Sequence, residues 1–503
     1  MAVFDVLREP WIPVLRSDRS SASLGILDLL EQAHELKSLN SESPLENYSI
    51  FRLLCAFLMD AYAPEYIDDR QQILECGHFD PVVLRHYVER CADEGCSFDL
   101  FDEKRPFMQA RYNKTYDKKT SPVAVLVHAL PVGSNHIHFD HRLSAEHCLT
   151  AAEALRALCA AYVFCAAMKG GPYTQYPSSV NNSPCIYVTY QGESLFESLV
   201  VSILSKDECE SKNIPWDTLP VAWRNDDEII PEKECPTVSL LAAFTWQPLR
   251  VNFVPVEKKG ELYVKEVYRK PGLNFQGDGR CWYDPHVPYR KNNKDEWNSI
   301  KPQSGRQFWR DVGAVTASDP VGDSTRQPLI LANYKELIGT SVPRLLHVQM
   351  TGLVTNQAQY VSVHSDSVAL PAPFFEEAPL GRLLRYDLEG IEAMASSISW
   401  AYGKILGAEI VKELQIQFYA AMYEKLFSEY IPFVVKIDRN QDRWGNLAKD
   451  HLDRLLKEQR KQIITLASRR FGTSAKALRD MSSAETKFIS RCGTLLKKRR
   501  ENR

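Results

Sequence analysis

The run Pro371-Ala372-Pro373 separates two kinds of sequence, and the segment beyond it limits the fold more tightly than anything before it. From about residue 381 onward, apolar residues recur at helical spacing through four segments: Leu383–Leu406, Glu409–Tyr430, Arg443–Arg470 and Ser474–Lys498. Breaks fall at Gly407, at Pro432 and at Gly472, with Thr473-Ser474 as a fresh N-cap. Long amphipathic helices with short connections pack as an antiparallel bundle, whose core accounts for the apolar stripes. A chain of 503 residues is too long for one ordinary core. The expected class is therefore α+β: a large mixed N-terminal domain with β-hairpins and buried helices over 1–373, followed by a C-terminal antiparallel four-helix bundle over 374–503.

The net charge of −3 hides an asymmetry. Residues 441–503 hold 17 Lys and Arg against 7 Asp and Glu, while the rest of the chain holds 44 against 57. A basic end on an acidic body suits a polyanionic partner, and solvated helix faces explain the same residues equally. No stretch of about 20 apolar residues is present, and MAVFDVLREPWIPV lacks a basic segment leading into an apolar one. The 12 cysteines stand singly with no CxxC, so neither a zinc ribbon nor a disulfide framework is indicated. The expected setting is a reducing cytoplasm, with no membrane partner.

Within the mixed region, Trp11-Ile12-Pro13-Val14 reads as an edge strand or a strand start, because Pro lacks an N–H. Leu24–Leu36 and Pro81–Cys91 have helical spacing, and Ile50–Tyr62 is apolar enough to be buried on every side. Phe98–Gln109 reads as a packed aromatic loop. His136, His138, His141 and His147 crowd one loop around Asp140. These can hold a metal, and a hydrogen-bonding loop or an interface accounts for them as well. Thr150–Met168 is expected to be a long buried helix stopping at Lys169-Gly170-Gly171-Pro172. The glycine- and serine-rich segment from Lys169 to Pro184 exposes backbone N–H groups but lacks the GxxxxGK[ST] spacing of an NTP site. Residues 205–236 read as an acidic excursion or linker. Leu249–Val256 and Gly260–Val267 read as paired strands. The stretch Trp282–Lys291 interleaves aromatic and basic residues, which suits either a nucleic-acid surface or a packed loop. The last strong signal is a β-hairpin with arms Val348–Leu353 and Gln359–Val363 and a tip at Thr355-Asn356-Gln357-Ala358.

Taken in order, these pieces resemble the CasA family, the large subunit of the type I-E CRISPR Cascade complex. The resemblance rests on Trp11-Ile12-Pro13-Val14, Pro106-Phe107-Met108-Gln109, Trp246-Gln247-Pro248, Asp284-Pro285-His286 after Trp282, Asn356-Gln357-Ala358, and the terminal bundle. It implies a non-catalytic subunit without cofactor that partners other Cascade subunits and their guide RNA. Such a subunit reads the short protospacer-adjacent motif (PAM) of double-stranded target DNA from the minor groove, while base pairing reads the rest. It also implies recruitment of a helicase–nuclease effector.

Residue by residue, the resemblance assigns a DNA wedge to Gln357 and Ala358 beside Asn356, and a glycine loop to Gly170 and Gly171 with Lys169 and Tyr173 flanking. It assigns a groove-reaching lysine to Lys270. A docking loop near the guide end falls on Phe139, Asp140, His141 and Arg142. Non-target-strand candidates are Arg454, Lys457, Arg460 and Lys461, with Lys497–Arg500 at the chain end. Some members carry a cysteine-rich zinc site where this chain has Lys258-Lys259-Gly260, so no zinc is expected. The alternatives are a large subunit of another Cascade type, a metal-dependent nuclease using His136, His138 and His141, and a free-standing DNA-binding protein.

Overall fold

The computed structural model describes residues 3–130, 147–165, 168–170, 173–176, 179–181, 184–276, 282–319, 322–338, 345–356, 359–438, 440 and 443–501. It contains two compact units, one of residues 1–308 and 324–369, the other of residues 309–323 and 370–503.

The first unit opens with a three-stranded sheet in which Ile12–Arg16 lies between Ser21–Leu24 and Leu36–Leu39. The Pro13 strand is thus central rather than at an edge. Pro13 is tolerated because the third strand pairs only from Val14 onward, so no ladder bond needs its missing N–H. Helix α1 (Pro44–Tyr62) starts with proline at a position where an N–H is dispensable, and Tyr48 through Asp60 are all buried. A helix buried on all sides must partner any charge it carries. Its Arg52 bonds Asp284 at 2.8 Å, and its Asp60 accepts from Tyr87 at 2.6 Å and from Arg224 at 2.7 Å.

Helix α2 (Ala151–Val163) is capped by Thr150, whose hydroxyl accepts from the Glu153 N–H. It stops short of the Met168 end that its apolar run predicts. Phe164 leaves the helix to sit in the core against Tyr48 and Tyr187, and this tertiary contact overrides local periodicity. Residues 205–236 are not a linker either. Glu208 is buried in a bidentate pair with Arg70 at 2.5–2.6 Å, and Val221 and Trp223 are core residues. Strand β1 (Tyr187–Gln191), the hairpin β2 (Leu249–Lys258) and β3 (Glu261–Pro271), and the hairpin β4 (Leu345–Asn356) and β5 (Gln359–Pro371) complete the frame.

In the second unit, α3 (Ala378–Leu406), α4 (Ala408–Lys425), α5 (Trp444–Ser468) and α6 (Ala475–Glu501) form the bundle. Pro432 does not break the second helix as its sequence suggests. A π-helical turn at Leu426–Tyr430 widens the coil, the Ile431 N–H reaches back to the Leu426 carbonyl, and the helix resumes to Lys436. The wider turn accommodates a ring that has no N–H to offer. The segment 309–323 packs on α3 at Gly381, where a Cβ would lie 2.0 Å from the Ala317 carbonyl oxygen. Arg310 clasps Glu392 and the Tyr419 hydroxyl at 2.6–2.7 Å, and Arg385 bonds Asp323 at 2.5 Å.

Near the chain end, Arg499 is 5% exposed and lies between Asp387 (2.7 Å) and Asp453 (2.9 Å), over Gly390. This removes Arg499 from the basic surface expected at Lys497–Arg500. Burial pushes the Asp387 carboxyl up, and Arg499 opposes that push. Replacing Arg499 with Met leaves two buried carboxylates facing each other. Urea unfolding is expected to show a loss of about 3–5 kcal/mol, typical of breaking a buried ion pair from one side. Adding Asp453→Asn should restore part of it.

Candidate nucleic-acid interface

Strand β4 lies between β1 and β5, with His347 opposite Gln191 and Thr351 opposite Tyr187. Leu346, Val348 and Met350 face the core while His347 is exposed, the alternation of a half-buried strand. Nearer the tip, Leu353 and Val354 are both buried, so the hairpin is gripped on two sides before it emerges at exposed Asn356. The expected wedge residues Gln357 and Ala358 lie outside the described residues.

The return arm carries Tyr360, which is packed onto the cluster that includes Tyr48, Phe164, Tyr187 and Leu353. Its ring lies 4.7 Å from that of His128, which in turn meets Phe164. Burial pushes the Tyr360 hydroxyl up to about 12, with Cys165 reinforcing the shift and the Arg269 cation opposing it. Cys165 also senses Arg269. Arg269 is on β3, next to Lys270, and Cys165 lies just ahead of the glycine segment. Strand β3 also packs against α2 and against the turn Val123–Leu126 that leads to His128, so the base of the hairpin, the approach to the glycine segment and the lysine strand converge.

The glycine segment is itself a small antiparallel hairpin of Met168–Gly170 and Tyr173–Tyr176, with Gly170 paired to Tyr173. This replaces the helix end that its sequence suggests. Tyr173–Tyr176 runs beside β3. Lys169 and Gly170 are on the first strand and Tyr173 opens the second, while Gly171 lies outside the described residues. Lys270 is half-buried on β3, directly opposite Arg250. That arginine is buried and tied to Asp117 at 2.7 Å, which fixes the strand pair below the lysine.

The motif Asp284-Pro285-His286 is structural. Asp284 is fully buried and bonded by Arg52, by Asn181 at 3.0 Å and by the His286 N–H at 3.0 Å. Burial alone pushes its carboxyl up, but the Arg52 guanidinium holds it below its ordinary value. His286 is pushed down to about 4 by burial and is neutral. Its Nε2 lies 2.9 Å from the Ser202 carbonyl, which can only accept, so Nε2 carries the proton and Nδ1 accepts from the Tyr48 hydroxyl. Of the two readings of Trp282–Lys291, the structure supports a packed loop: Trp282, His286 and Tyr289 are all buried. Gln109 is structural too, accepting from the Phe253 N–H at 2.8 Å and donating to the Leu100 carbonyl at 2.7 Å.

Phe139, Asp140, His141 and Arg142, with His136 and His138, lie outside the described residues. Among the described residues no group of three or more His, Cys, Asp or Glu is arranged to hold a metal. Of the non-target-strand candidates, Arg454 is exposed but paired with Glu429 (2.5 Å) and Glu458 (2.9 Å). Lys457 and Arg460 are half-buried and Lys461 is exposed. Sequence reasoning misses Arg269, Tyr360 and His128. Only Arg269 leaves a signal, its place in Tyr268-Arg269-Lys270.

The family described as CRISPR-associated protein Cse1 matches residues 5–470. CasA/Cse1 of Thermus thermophilus is 26% identical over 383 residues, 73% of this chain and 71% of that one. Cse1 of Acidimicrobium ferrooxidans superposes with a TM-score of 0.75 at 18% identity, covering 100% of this chain and 99% of that one. A chain from a CRISPR RNA-guided surveillance complex superposes with a TM-score of 0.76 at 19% identity, covering 98% of this chain and 100% of that one. The two superpositions show a shared α+β fold, as expected, and it is the fold of a CRISPR-associated protein. The chain belongs to the Cse1 family, also written CasA, which bears out the resemblance read from its motifs. Among the described residues no helix is long and apolar enough to cross a membrane.

His286 and His128 are both held near 4 by burial, against about 6.5 when unfolded. The unfolded chain therefore binds more protons between those values, and stability must fall as pH drops from about 6.5 to 4. Each histidine contributes about 3 kcal/mol to that loss at its lower end. Urea midpoints at pH 7, 5.5 and 4.5 should show the decline, and His128→Phe should remove about one proton's share of its slope.

Proposed function

We propose that this protein is the large subunit of a type I-E CRISPR surveillance complex, where it reads the PAM of double-stranded DNA without catalysing a reaction. The observation that carries this reading is the convergence of the hairpin base, the glycine hairpin and the Lys270 strand. Minor-groove reading requires a rigid probe beside backbone donors and a cation. Buried Leu353 and the half-buried rings of Tyr360 and His128 supply rigidity at the hairpin base, and the strands Met168–Gly170 and Tyr173–Tyr176 with Lys270 supply the flanking groups. The minor groove offers a degenerate donor and acceptor pattern, so several related motifs should be accepted.

In this reading Asn356, Gln357 and Ala358 enter beneath the motif and part the first base pairs. Unstacking costs roughly a few kcal/mol per step, which guide pairing and backbone contacts then offset. Lys169, Gly170, Gly171, Tyr173 and Lys270 would hold the groove, and the loop Phe139–Arg142 would seat the subunit near the guide's end. The partners are the other Cascade subunits with their guide RNA, target DNA, and a helicase–nuclease effector that arrives once the R-loop has formed. The setting is the cytoplasm.

The test is target binding by the reconstituted RNA-guided complex with and without this subunit, on duplexes with a correct or scrambled motif. Motif discrimination should need the subunit. Asn356→Ala with Gln357→Ala should leave binding of the motif duplex but slow strand opening. Lys270→Ala should weaken motif binding by about five- to tenfold, as loss of one charged contact of roughly 1–1.5 kcal/mol predicts. Unchanged discrimination in the complex lacking the subunit would sink this reading.

A further inference from the structure

The bundle carries a surface that the candidates on α5 do not include. Trp400 on α3 is 53% exposed, the most exposed tryptophan among the described residues. Large aromatic rings are normally taken out of water, so an exposed indole invites a partner. The guanidinium carbon of Arg491, on α6, sits 4.8 Å from the Trp400 ring centroid. The arginine therefore holds the indole by a cation–π contact and places a positive charge beside its face.

The surroundings keep that ring open and basic. Gly403 is one turn beyond Trp400 on α3, and Gly493 adjoins the Arg491 turn on α6. A Cβ built on either meets nothing within 4 Å. Lys487 and Lys498 stand four residues before and seven after Arg491, which puts all three cations on one face of α6. Both lysines are exposed and, among the described residues, form no ion pair. Arg454 on α5, by contrast, is already neutralised by two glutamates. Of the acids on α6, Glu485 lies six residues before Arg491 and about a third of a turn round the helix, where it is felt by buried Tyr402, and Glu501 follows Lys498 by three residues. Hydroxyls of Ser483, Ser490 and Thr494 are exposed on the same helix.

We propose that Trp400 and Arg491, flanked by Lys487 and Lys498, form a stacking platform for a single-stranded polynucleotide. A flat aromatic offers each base a π-face whatever its identity, and unpaired lysines track phosphates without reading sequence. Duplex DNA keeps its bases stacked inside and cannot use the ring. The proposal rests on the reading that the subunit meets opened DNA, and it assigns the displaced strand to the α3–α6 face rather than to α5.

The experiment measures fluorescence anisotropy of a labelled oligo(dT) of about 20 nucleotides, long enough for one binding site, with the full-length chain, together with R-loop yield in the reconstituted complex. Trp400→Ala should weaken oligonucleotide binding at least about fivefold, the low end of stacking losses. Trp400→Phe should retain most of it. Lys487→Ala with Lys498→Ala should lower the slope of log affinity against log salt by about 1.4, the share of two phosphate contacts on a single strand. Arg454→Ala serves as the control and should change little. Because Trp400 is exposed, the urea midpoint should stay put. Oligonucleotide binding that is unchanged in Trp400→Ala and Arg491→Ala overturns the platform, as does a Trp400→Ala complex that loses a protein subunit instead of single-strand affinity. Motif discrimination on duplex DNA should be unaffected by Trp400→Ala. Its absence in the wild-type complex would count against the PAM reading alone.

Discussion

Asp284 is a carboxylate cut off from water, and the first unit is organised by what neutralises it. Arg52 reaches it from α1, Asn181 from the segment leading into β1, and the His286 N–H from its own turn. A lone buried charge would cost several kcal/mol, so these elements must arrive together or not at all. The network continues without a gap. Arg52 donates to the Tyr48 hydroxyl, that hydroxyl donates to His286 Nδ1, and His286 Nε2 donates to the Ser202 carbonyl. Tyr48 also stacks on Tyr187 of β1 at 4.5 Å, which links the polar chain to the strand beside the hairpin. The base of the hairpin is thus tied into a network well removed from its tip.

The helical unit uses the same device with different parts. Two aspartates from α3 and α5 are buried against one arginine from α6, and the Tyr430 hydroxyl donates to Asp387. Leucine stripes alone would allow the helices to slide or exchange neighbours. A buried ion triad has one geometry in which all its members are satisfied, and it sets which helix lies where. Gly390 leaves the space the guanidinium occupies, so a small residue and a large cation form one joint. The result leaves the outer faces of α3 and α6 free to carry Trp400 and the lysines.

The architecture was legible in the sequence wherever a local pattern had no competitor. The four bundle helices, the hairpin ending at Asn356, the β2–β3 pair and the buried helix α1 all came from spacing and β-branched content. The motif Asp284-Pro285-His286 was legible as a signature but not as a structural joint, because its partner Arg52 lies 232 residues away. The departures share a cause. The run after Ala151 has helical periodicity through Met168, yet Phe164 gains more from the core than from one further turn. Pro432 is a local stop signal that a widened turn absorbed. The acidic content of 205–236 concealed Glu208, whose charge is satisfied by Arg70.

By itself the sequence determined the class of fold, the order of its elements, the basic character of the chain end and, through scattered short motifs, the family. Periodicity and turn chemistry are local, and a chain cannot hide them. Tertiary structure decided the role of each charged residue. Lys498 and Arg499 are neighbours of similar chemistry, yet one faces water and the other is sealed between two carboxylates. The difference is a step of about 100° around one helix, and its meaning depends on what the facing helix presents. In the same way the sequence names Lys270, but only the folded chain brings Arg269 beside it within electrostatic reach of Cys165 and Tyr360, from two other stretches.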